Sequence, residues 1–599
     1  MIDKRIAQLR RLMTENKIEA YVIPGSDEHQ NEYLPEMWKR REWISGFTGS
    51  AGSVVVTLDK AGLWTDSRYY LQAEEQLKES PVNLFRVGTP GTPDMWEWLR
   101  YELSPGMHVG IDPRLIPVQT VKHAHKLFLS REIRIKYIEE NLVDIIWDNR
   151  PEFPAAPAVP HPLQYSGEDA SGKLVRVREE LKKENCSCLV LSRLDSIAWL
   201  FNIRGNDIPY NPLVIAYAVV TESEAALFIE PEKVTEELKS HLAGTAVLYD
   251  YSNFKTYLME YQRQQNLSGQ KKIWLDESST SAWIAGFFEA KSIYYGDCPV
   301  YFFKAIKNST EIANFKKAHL RDGVAMVRFL KWLDENVQNG SVTEAGAARK
   351  LEEFRAANDL YRELSFPTIS AYNEHAAIVH YSHTDASNSV LKKEGIYLVD
   401  SGAHYLDGTT DITRTIALGV PTEEQKERFT RVLQGHINLA LANFPGDTLG
   451  IQLDTLARIP LWEIGLDYGH GTGHGIGSYL NVHEGPHSIS QSRGVMVKLK
   501  EGMFCSNEPG YYKTGEYGIR IENIVYVAGR EAQSNTENGF LHFKTITLCP
   551  IDLKLVKKAM LTEKQLSYLN NYHMLVRAKL NVFLDEEERK WLAEATALI

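Results

Sequence analysis

The chain has 599 residues, which is too long for one hydrophobic core because single domains hold roughly 100–200 residues. Apolar residues make up 43% of the chain and charged residues 24%, which is ordinary for globular proteins. The 67 basic and 78 acidic residues give a formal net charge of −11, which argues against a nucleic-acid-binding protein because such a protein needs a basic face.

The composition also bears on the cellular compartment. The longest apolar run, 213–220, has eight residues, whereas a membrane-spanning helix needs about 20. Residues 1–5 lead into a charged helical pattern without the apolar core of a signal peptide. The five cysteines are odd in number and lack metal-ligand spacing, which favours reduced thiols over disulfides. We therefore expect a cytoplasmic protein that contacts no membrane.

Two stretches in the first half of the chain resemble each other. Residues 43–70 and 199–230 each begin with a tryptophan-led segment, pass through a turn rich in Gly, Asn or Asp, and end in strand-like runs. Residues 148–165 lie between them and hold five prolines, so we expect an extended linker and a domain boundary there. The pattern predicts two divergent copies of one α/β module. Two unrelated α/β domains are the alternative.

A third unit with a different pattern begins near residue 309. Apolar residues at three- and four-residue steps over 312–333 predict an amphipathic helix. Thr343 is expected to open a second helix, and Thr422 with Gln425 forms a capping box that opens a third. The residues after Leu561 are again helical in pattern.

Strand-like runs lie between and after these helices, at 395–402, 409–418, 496–499, 503–509 and 519–528. Helices combined with antiparallel-looking strands predict an α+β domain. We therefore expect three domains, spanning residues 1–155, 156–308 and 309–599.

Five residues of the third unit have side chains that suit a metal site, namely Asp400, Asp411, His474, Glu508 and Glu522. The two aspartates, separated by glycines, fit facing strands of a hairpin. A half-buried carboxylate is costly unless it is paired or metal-bound. Taken singly, Asp400 suits a turn and either glutamate an ordinary polar position. Together, four carboxylates and one histidine suit two divalent ions such as Mn²⁺ or Co²⁺, with Zn²⁺ also possible.

Glycine occupies every odd position from 469 to 477. In extended chain, which has a period of two, His470 and His474 would project to one face of a backbone that another surface can approach closely. A flexible glycine loop is the alternative. Nearby, residues 483–487 match H-E-x-x-H, but that zinc motif needs a continuous helix and Gly485-Pro486 breaks one. A zincin-type site is therefore not expected.

The ordered set of five candidate ligands resembles the dinuclear metallopeptidases of the pita-bread fold, family M24. Within that family, the chain resembles aminopeptidase P in four segments, 378–381, 469–477, 481–486 and 507–512. The first module of the chain also resembles that of the long, three-domain eukaryotic form of aminopeptidase P, in the segments 27–33, 45–52 and 64–69. The resemblance spans nearly the whole chain. It implies two creatinase-like α/β domains followed by a pita-bread α+β catalytic domain with a C-terminal helical extension.

The resemblance also implies an activity, which is hydrolysis of the N-terminal Xaa-Pro bond of peptides by a hydroxide held between two divalent ions, with Mn²⁺ the first choice. Asp411 and Glu522 would bridge the ions, Asp400 would hold one and His474 the other. Glu508, a ligand beside the water, would carry the proton.

Four further residues gain roles only through the resemblance. His380 and His483 would donate to the tetrahedral intermediate and the leaving group, while His470 and Arg520 would line the substrate pocket or orient ligands. From the residues alone, each histidine could equally be structural, and Arg520 could simply pair with a ligating carboxylate. The resemblance further implies a homodimer with Trp462 as a candidate interface residue, although a core tryptophan is the alternative. The expected partners are peptides with proline in second position.

Three other functions are compatible with parts of this sequence pattern. Prolidase uses the same ligands on dipeptides, but it is typically shorter with a single N-terminal module, so the duplicated module argues against it. Methionine aminopeptidase lacks such large N-terminal domains. A non-catalytic pita-bread protein that only binds partners would have lost ligands, whereas all five candidates are present here.

Overall fold

The computed structural model describes residues 1–268, 271–492, 494–529 and 539–599. The chain forms two compact units, one of residues 1–163 with 168–301 and the other of residues 164–167 with 302–599. The finer boundaries near residues 155 and 308 stay a prediction. Within the described ranges, no helix combines the length and the apolar character needed to span a lipid bilayer.

The first unit contains two six-stranded sheets with the same topology. In each, the first strand in the chain is central, pairing antiparallel with the second and parallel with the fifth, so that the spatial order is 4-3-2-1-5-6. The first sheet consists of Ala20–Ile23, Ser53–Thr57, Ala61–Thr65, Asn83–Arg86, His108–Ile111 and Arg134–Tyr137. The second sheet consists of Cys186–Leu191, Ala216–Thr221, Ala225–Ile229, Val247–Asp250, Lys272–Leu275 and Ile293–Tyr295. The shared order confirms the predicted duplication.

The two copies also share the turn that follows the tryptophan-led segment. In each copy that segment is a helix, Arg40–Ser45 and Leu194–Phe201, which ends on a left-handed residue, Gly46 (φ 80°) or Asn202 (φ 50°). Glycine and asparagine tolerate this conformation best, so they end the helix and turn the chain towards the next strand. Of the predicted linker 148–165, residues 148–158 contain no helix or strand, whereas the remainder contains the short strand Val159–Pro160 and most of the helix Leu163–Ser166.

The remaining elements of this part of the chain are helices and one small strand pair. The helices are Ile2–Glu15, Tyr70–Gln76, Met95–Glu102, Val118–Leu129, Leu142–Ile146, Leu163–Ser166, Ala170–Lys183, Glu236–Leu242, Phe254–Ser268, Ala282–Ala285 and Pro299–Ala305. The two-residue strands Val159–Pro160 and Ile203–Arg204 pair with each other.

The helices predicted for residues 309–599, which lie in the second compact unit, are confirmed. The apolar pattern over 312–333 lies in helix Ser309–Asn336, which begins with a capping box formed by Asn308 and Glu311. Thr343 caps helix Glu344–Ala356, and Thr422 with Gln425 forms the predicted capping box of helix Glu423–Ala440. The other helices of this unit are Gly450–Trp462, Glu563–Leu580 and Glu586–Ala595. A buried apolar cluster packs the helices Glu423–Ala440 and Glu563–Leu580 against the strand Tyr517–Arg520.

The strands of the second unit form four antiparallel sheets in the described part of the chain. The six-stranded sheet has the order Asn443–Pro445, Phe540–Thr545, Asn523–Gly529, Phe504–Asn507, Gly473–Gly475 and Glu484–Ile489. One three-stranded sheet consists of Ile369–Tyr372, Ile396–Ser401 and Ile412–Ala417, and the other of Tyr361–Leu364, Ala403–Tyr405 and Gly408–Thr409. The two-stranded sheet consists of Gly510–Lys513 and Tyr517–Arg520.

Three strand predictions are wrong. Residues 409–418 do not form one strand, because Thr409 ends the strand Gly408–Thr409 and the next strand, in another sheet, begins at Ile412. Residues 496–499 form only an isolated bridge between Lys498 and Leu449, because Met496 is 63% exposed and only Leu499 is buried, so that a sheet would bury little apolar surface. Residues 519–528 do not form one strand but belong to two, with a break at 521–522. The break places Glu522 between two sheets rather than within one.

Candidate metal centre

The two aspartates lie on neighbouring strands, as the sequence predicted. Asp400 is part of strand Ile396–Ser401 and pairs with Thr413, while Asp411 directly precedes strand Ile412–Ala417. The strands approach so closely at Gly402 that a β-carbon there would collide with the Thr410 carbonyl. Only glycine therefore fits at residue 402, directly after the strand that carries Asp400.

The other three candidates come from three adjacent strands of the six-stranded sheet. His474 is the centre of strand Gly473–Gly475, Glu508 directly follows strand Phe504–Asn507, and Glu522 directly precedes strand Asn523–Gly529. A β-carbon on either glycine beside His474 would collide with a carbonyl of a neighbouring strand. The glycine pattern thus serves the close strand approach that was predicted from it.

The structure brings these side chains together. The ligand atoms of Asp411, His474 and Glu522 all lie within 4.8 Å of one another. Nε2 of His474 lies 3.4 Å from Oδ2 of Asp411 and 3.4 Å from Oε1 of Glu508. Asp400 is linked to the group by hydrogen bonds, since Arg520 donates to Asp400 and to Thr413, and Thr413 donates to Glu522. All five predicted ligands therefore belong to one cluster.

The crowding of buried carboxyl groups shifts their protonation. Burial raises the pKa of Glu522 well above its ordinary value, and the charges of Asp411 and Glu508 raise it further. Burial also raises the pKa of Asp400, and it raises the pKa of Glu508 to about 7. Burial lowers the pKa of His474, but Asp411 and Glu508 outweigh burial and raise it to about 9. Divalent cations would relieve this repulsion.

Two buried carboxylate oxygens support a metal site independently of the pKa values. Oδ1 of Asp400 and Oε1 of Glu522 have no hydrogen-bond partner among the described residues. Their companion oxygens are held, since Arg520 donates to Oδ2 of Asp400 at 2.6 Å and Thr413 donates to Oε2 of Glu522 at 2.7 Å. A buried charged oxygen is costly without a partner. The donor set of carboxylates and one imidazole fits divalent cations, which would bind the free oxygens.

His470 is connected to the cluster through the Tyr512 hydroxyl and Arg520. Tyr512 was not among the residues predicted from the sequence. The Tyr512 hydroxyl accepts from Arg520 Nη1 at 2.7 Å and lies 2.7 Å from His470 Nε2. Arg520 in turn donates to Asp400. His470 and His474 do not share one extended strand, because the chain bends over 469–472 before the strand begins. His470 therefore reaches the site by way of Arg520. The only signal for Tyr512 was its place after Pro509-Gly510.

His483 and His380 border the cluster. The ring of His483 packs edge-on against that of His474, with centroids 4.4 Å apart. The residues after His483 form strand Glu484–Ile489 rather than a helix, so the zincin motif is absent as predicted. The carbonyl of Val379 accepts from Arg520 Nη2 at 3.4 Å, which places the backbone beside His380 at the edge of the site.

Glu344 anchors the loop that carries His380, a role that its place in a helix cap did not reveal. Its fully buried carboxylate accepts from the backbone N–H of Tyr372 at 2.7 Å and of Ser389 at 2.9 Å. It also lies 2.8 Å from Nδ1 of His375 and accepts from the Tyr381 hydroxyl at 3.0 Å. The loop is therefore held at its beginning, its middle and its end.

We expect the contribution of His375 to stability to depend on pH. The hydrogen bond to Glu344 raises the pKa of His375, so the pair stabilises the fold fully below the ordinary histidine pKa and less as pH rises through the raised value. His375→Phe keeps the stacking on Tyr381 and should cost about 1–3 kcal/mol at pH 5.5 but less at pH 8.5. Thermal unfolding of both proteins at both pH values measures this difference.

His383→Phe is the matched control, because Nδ1 of His383 has no hydrogen-bond partner among the described residues. Because this substitution breaks no hydrogen bond at Nδ1, it is the reference for exchanging an imidazole for a phenyl ring. A destabilisation by His375→Phe that is the same at pH 5.5 and 8.5 would contradict the ionic character of the pair.

Comparison with known proteins identifies the family. A model of the creatinase/prolidase N-terminal domain matches residues 5–141, a second such model matches 149–311, the model of metallopeptidase family M24 matches 313–528, and the C-terminal region of peptidase M24 matches 539–599. Aminopeptidase P2 of Arabidopsis thaliana is 41% identical, with 99% of this chain and 88% of that protein aligned. The chain belongs to metallopeptidase family M24.

Further relatives place this M24 protein in the aminopeptidase P branch. Xaa-Pro aminopeptidase 1 of Dictyostelium discoideum is 41% identical over 97% of this chain and 93% of that protein. The crystal structure of the X-prolyl aminopeptidase of Caenorhabditis elegans, described as a cytosolic enzyme with a di-nuclear active site, is 37% identical and superposes with a TM-score of 0.97 over 100% of both chains. The predicted family and fold class are thereby confirmed.

Proposed function

We propose that this M24 protein is a Xaa-Pro aminopeptidase, which releases the N-terminal residue of peptides whose second residue is proline. The observation that carries the proposal is the cluster of four carboxylates and one histidine, with Asp411, His474 and Glu522 converging within 4.8 Å. Full-length similarity to enzymes named for this activity supports it.

In this proposal, two divalent cations would be held by Asp400, Asp411, His474, Glu508 and Glu522. When bound, the cations would polarise the scissile carbonyl, acidify water and stabilise negative charge. We propose Mn²⁺ as the ion, and Zn²⁺ and Co²⁺ also suit this donor set.

Glu508 is suited to move a proton during the reaction. The Xaa-Pro bond is a tertiary amide without an N–H. As in the hydrolysis of any peptide bond, its nitrogen must be protonated as it leaves. Glu508 lies within the cluster, 3.4 Å from Nε2 of His474, where its carboxylate can take a proton from the attacking water and give it to the nitrogen. The Ser506 hydroxyl donates to Oε1 of Glu508 at 3.0 Å and orients it.

The surrounding residues handle the substrate in this proposal. His483, beside His474, and His380, at the edge of the site, would donate to the oxyanion and the leaving group. Arg520 orients Asp400 and, through Tyr512, is linked to His470. His470 and Arg520 thus form a polar wall of the substrate pocket.

We also propose a cytoplasmic homodimer. The Caenorhabditis elegans relative is described as cytosolic, and the five cysteines are all free and buried, which suits a reducing compartment. Trp462, at the end of helix Gly450–Trp462, is 42% exposed, which supports an interface position over a core one.

Substrate length tests the proposal against a prolidase-like dipeptidase. The protein loaded with Mn²⁺ should release arginine from Arg-Pro-Pro with a kcat/KM at least tenfold higher than from Arg-Pro. The initial rates of arginine release, measured at several concentrations of each peptide, give the two kcat/KM values. A preference for Arg-Pro, or cleavage of Arg-Ala-Ala at the rate of Arg-Pro-Pro, would overturn the assignment.

A further inference from the structure

Arg414 is a buried arginine that contacts the backbone of the metal centre. It is 2% exposed and directly follows Thr413, the residue that donates to the Glu522 carboxylate. Nη1 of Arg414 donates to the carbonyl of Thr413 at 2.9 Å and to the carbonyl of Glu522 at 2.6 Å. The Thr413 carbonyl also accepts from the backbone N–H of Glu522 at 3.1 Å. Arg414 therefore fixes the backbone on both sides of the contact between Thr413 and Glu522.

The other nitrogens of Arg414 bind the C-terminal part of the chain. Nε donates to the carbonyl of Pro550 at 2.9 Å, and Nη2 donates to the carbonyl of Cys549 at 2.9 Å. Nη2 also contacts Asn523 Oδ1 at 2.8 Å and the Tyr572 hydroxyl at 3.1 Å. A guanidinium has five N–H donors in a rigid planar fork, so its orientation is fixed once these acceptors are in place.

Tyr572 completes this arrangement from helix Glu563–Leu580. Its hydroxyl accepts from Arg414 and donates towards the carbonyl of Cys549, 3.0 Å away. The acceptors of Arg414 among the described residues are carbonyls, an amide and this hydroxyl rather than carboxylates. The contacts therefore set geometry and do not form an ion pair.

We propose that the C-terminal region, residues 539–599, completes the metal centre without supplying a ligand. Tyr572 and the carbonyls at 549–550 hold Arg414, and Arg414 holds the backbone of Glu522, whose free oxygen Oε1 would then be available to a cation. Tyr572 and Arg414 are positioning residues. This inference rests on the proposed role of Glu522 as a ligand.

Tyr572→Phe is the test, with Tyr568→Phe as the matched control. Tyr568 lies one turn earlier on the same helix, with its ring parallel to that of Tyr572 at 6.4 Å, but its hydroxyl contacts Thr545 at 3.2 Å. Both changes remove only a hydroxyl. Removing a residue that orients a metal ligand lowers metal affinity by about 10–100-fold. We expect the Mn²⁺ affinity of Tyr572→Phe, measured by chelator competition on the full chain, to fall about tenfold, and that of Tyr568→Phe to stay within twofold of wild type.

Two further readouts separate positioning from stability. The visible absorption spectrum of the Co²⁺-loaded protein reports ligand geometry and should change in Tyr572→Phe alone. The Tm of the chelated proteins reports folding separately from metal binding and should fall further in Tyr572→Phe, because its hydroxyl has several buried partners whereas that of Tyr568 contacts Thr545. Arg414→Lys, which keeps the charge but has three donors instead of five, should weaken Mn²⁺ binding in the same direction.

The outcomes distinguish this inference from the proposed function. Wild-type Mn²⁺ affinity and an unchanged Co²⁺ spectrum in Tyr572→Phe would overturn the inference, even with a lowered Tm. If Tyr572→Phe does not fold, wild-type Mn²⁺ affinity and an unchanged Co²⁺ spectrum in Arg414→Lys would overturn the inference instead. A wild-type protein that binds Mn²⁺ but does not cleave Arg-Pro-Pro would overturn the proposed function and leave the affinity comparison intact. A wild-type protein that binds no divalent cation would overturn both.

Discussion

Replacing Glu508 by glutamine is expected to lower kcat for Arg-Pro-Pro by roughly 10²–10⁴-fold, the usual range for loss of a general acid or base. The amide keeps the shape of the side chain and an oxygen for metal binding, but it cannot carry a proton between the attacking water and the proline nitrogen. Steady-state release of arginine by the Mn²⁺-loaded variant measures the effect.

The folding of this variant should be unimpaired. Burial and the neighbouring carboxylates oppose the charge of Glu508, so removing that charge relieves repulsion in the metal-free protein. The Tm of chelated Glu508→Gln should therefore equal or exceed that of the wild type at pH 8. Glu501→Gln, which changes an exposed glutamate before the same strand, serves as the control and should keep wild-type kcat. A kcat for Glu508→Gln near the wild-type value would remove its proposed role.

Removal of divalent cations is expected to abolish peptide cleavage, with a loss of at least roughly 10³-fold, and added Mn²⁺ should restore it. The physical reason is that two cations held by the proposed ligands would stabilise the oxyanion more strongly than hydrogen-bond donors such as His380 and His483. Dialysis against a chelator followed by assay with and without Mn²⁺ provides the measurement.

The same treatment should change stability in a predictable direction. A cation that binds only the folded state stabilises it by about 2.7 kcal/mol at a concentration 100 times its Kd. Thermal unfolding should therefore show a lower Tm after chelation and recovery with Mn²⁺ but not with K⁺. Cleavage that persists in the chelated protein would contradict a metal-dependent mechanism, whatever the change in Tm.

Local chemistry made much of the fold and the ligand set predictable. The capping residues Thr343 and Thr422 start helices through contacts within one turn, and the apolar steps over 312–333 depend only on helix periodicity. The candidate ligands were recognisable because buried carboxylates such as Asp400 are costly and because glycines around His474 permit close strands. These signals are contained in short segments.

The features that were missed depend on contacts between distant segments. Glu344 is 28 residues from Tyr372 and 45 from Ser389, and Arg414 is 158 from Tyr572. No local pattern marks these partners, because their meaning comes from the tertiary fold. The same reason explains the bend before His474, where pairing with neighbouring strands overrides the period-two pattern.

The most direct test of the central claim is the rate of arginine release from Arg-Pro-Pro as Mn²⁺ is titrated into the chelated protein. A dinuclear aminopeptidase should reach its full rate at two equivalents of Mn²⁺ per chain, with the bound metal confirmed by elemental analysis. A full rate in metal-free protein, or no release of arginine with two equivalents bound, would contradict the account.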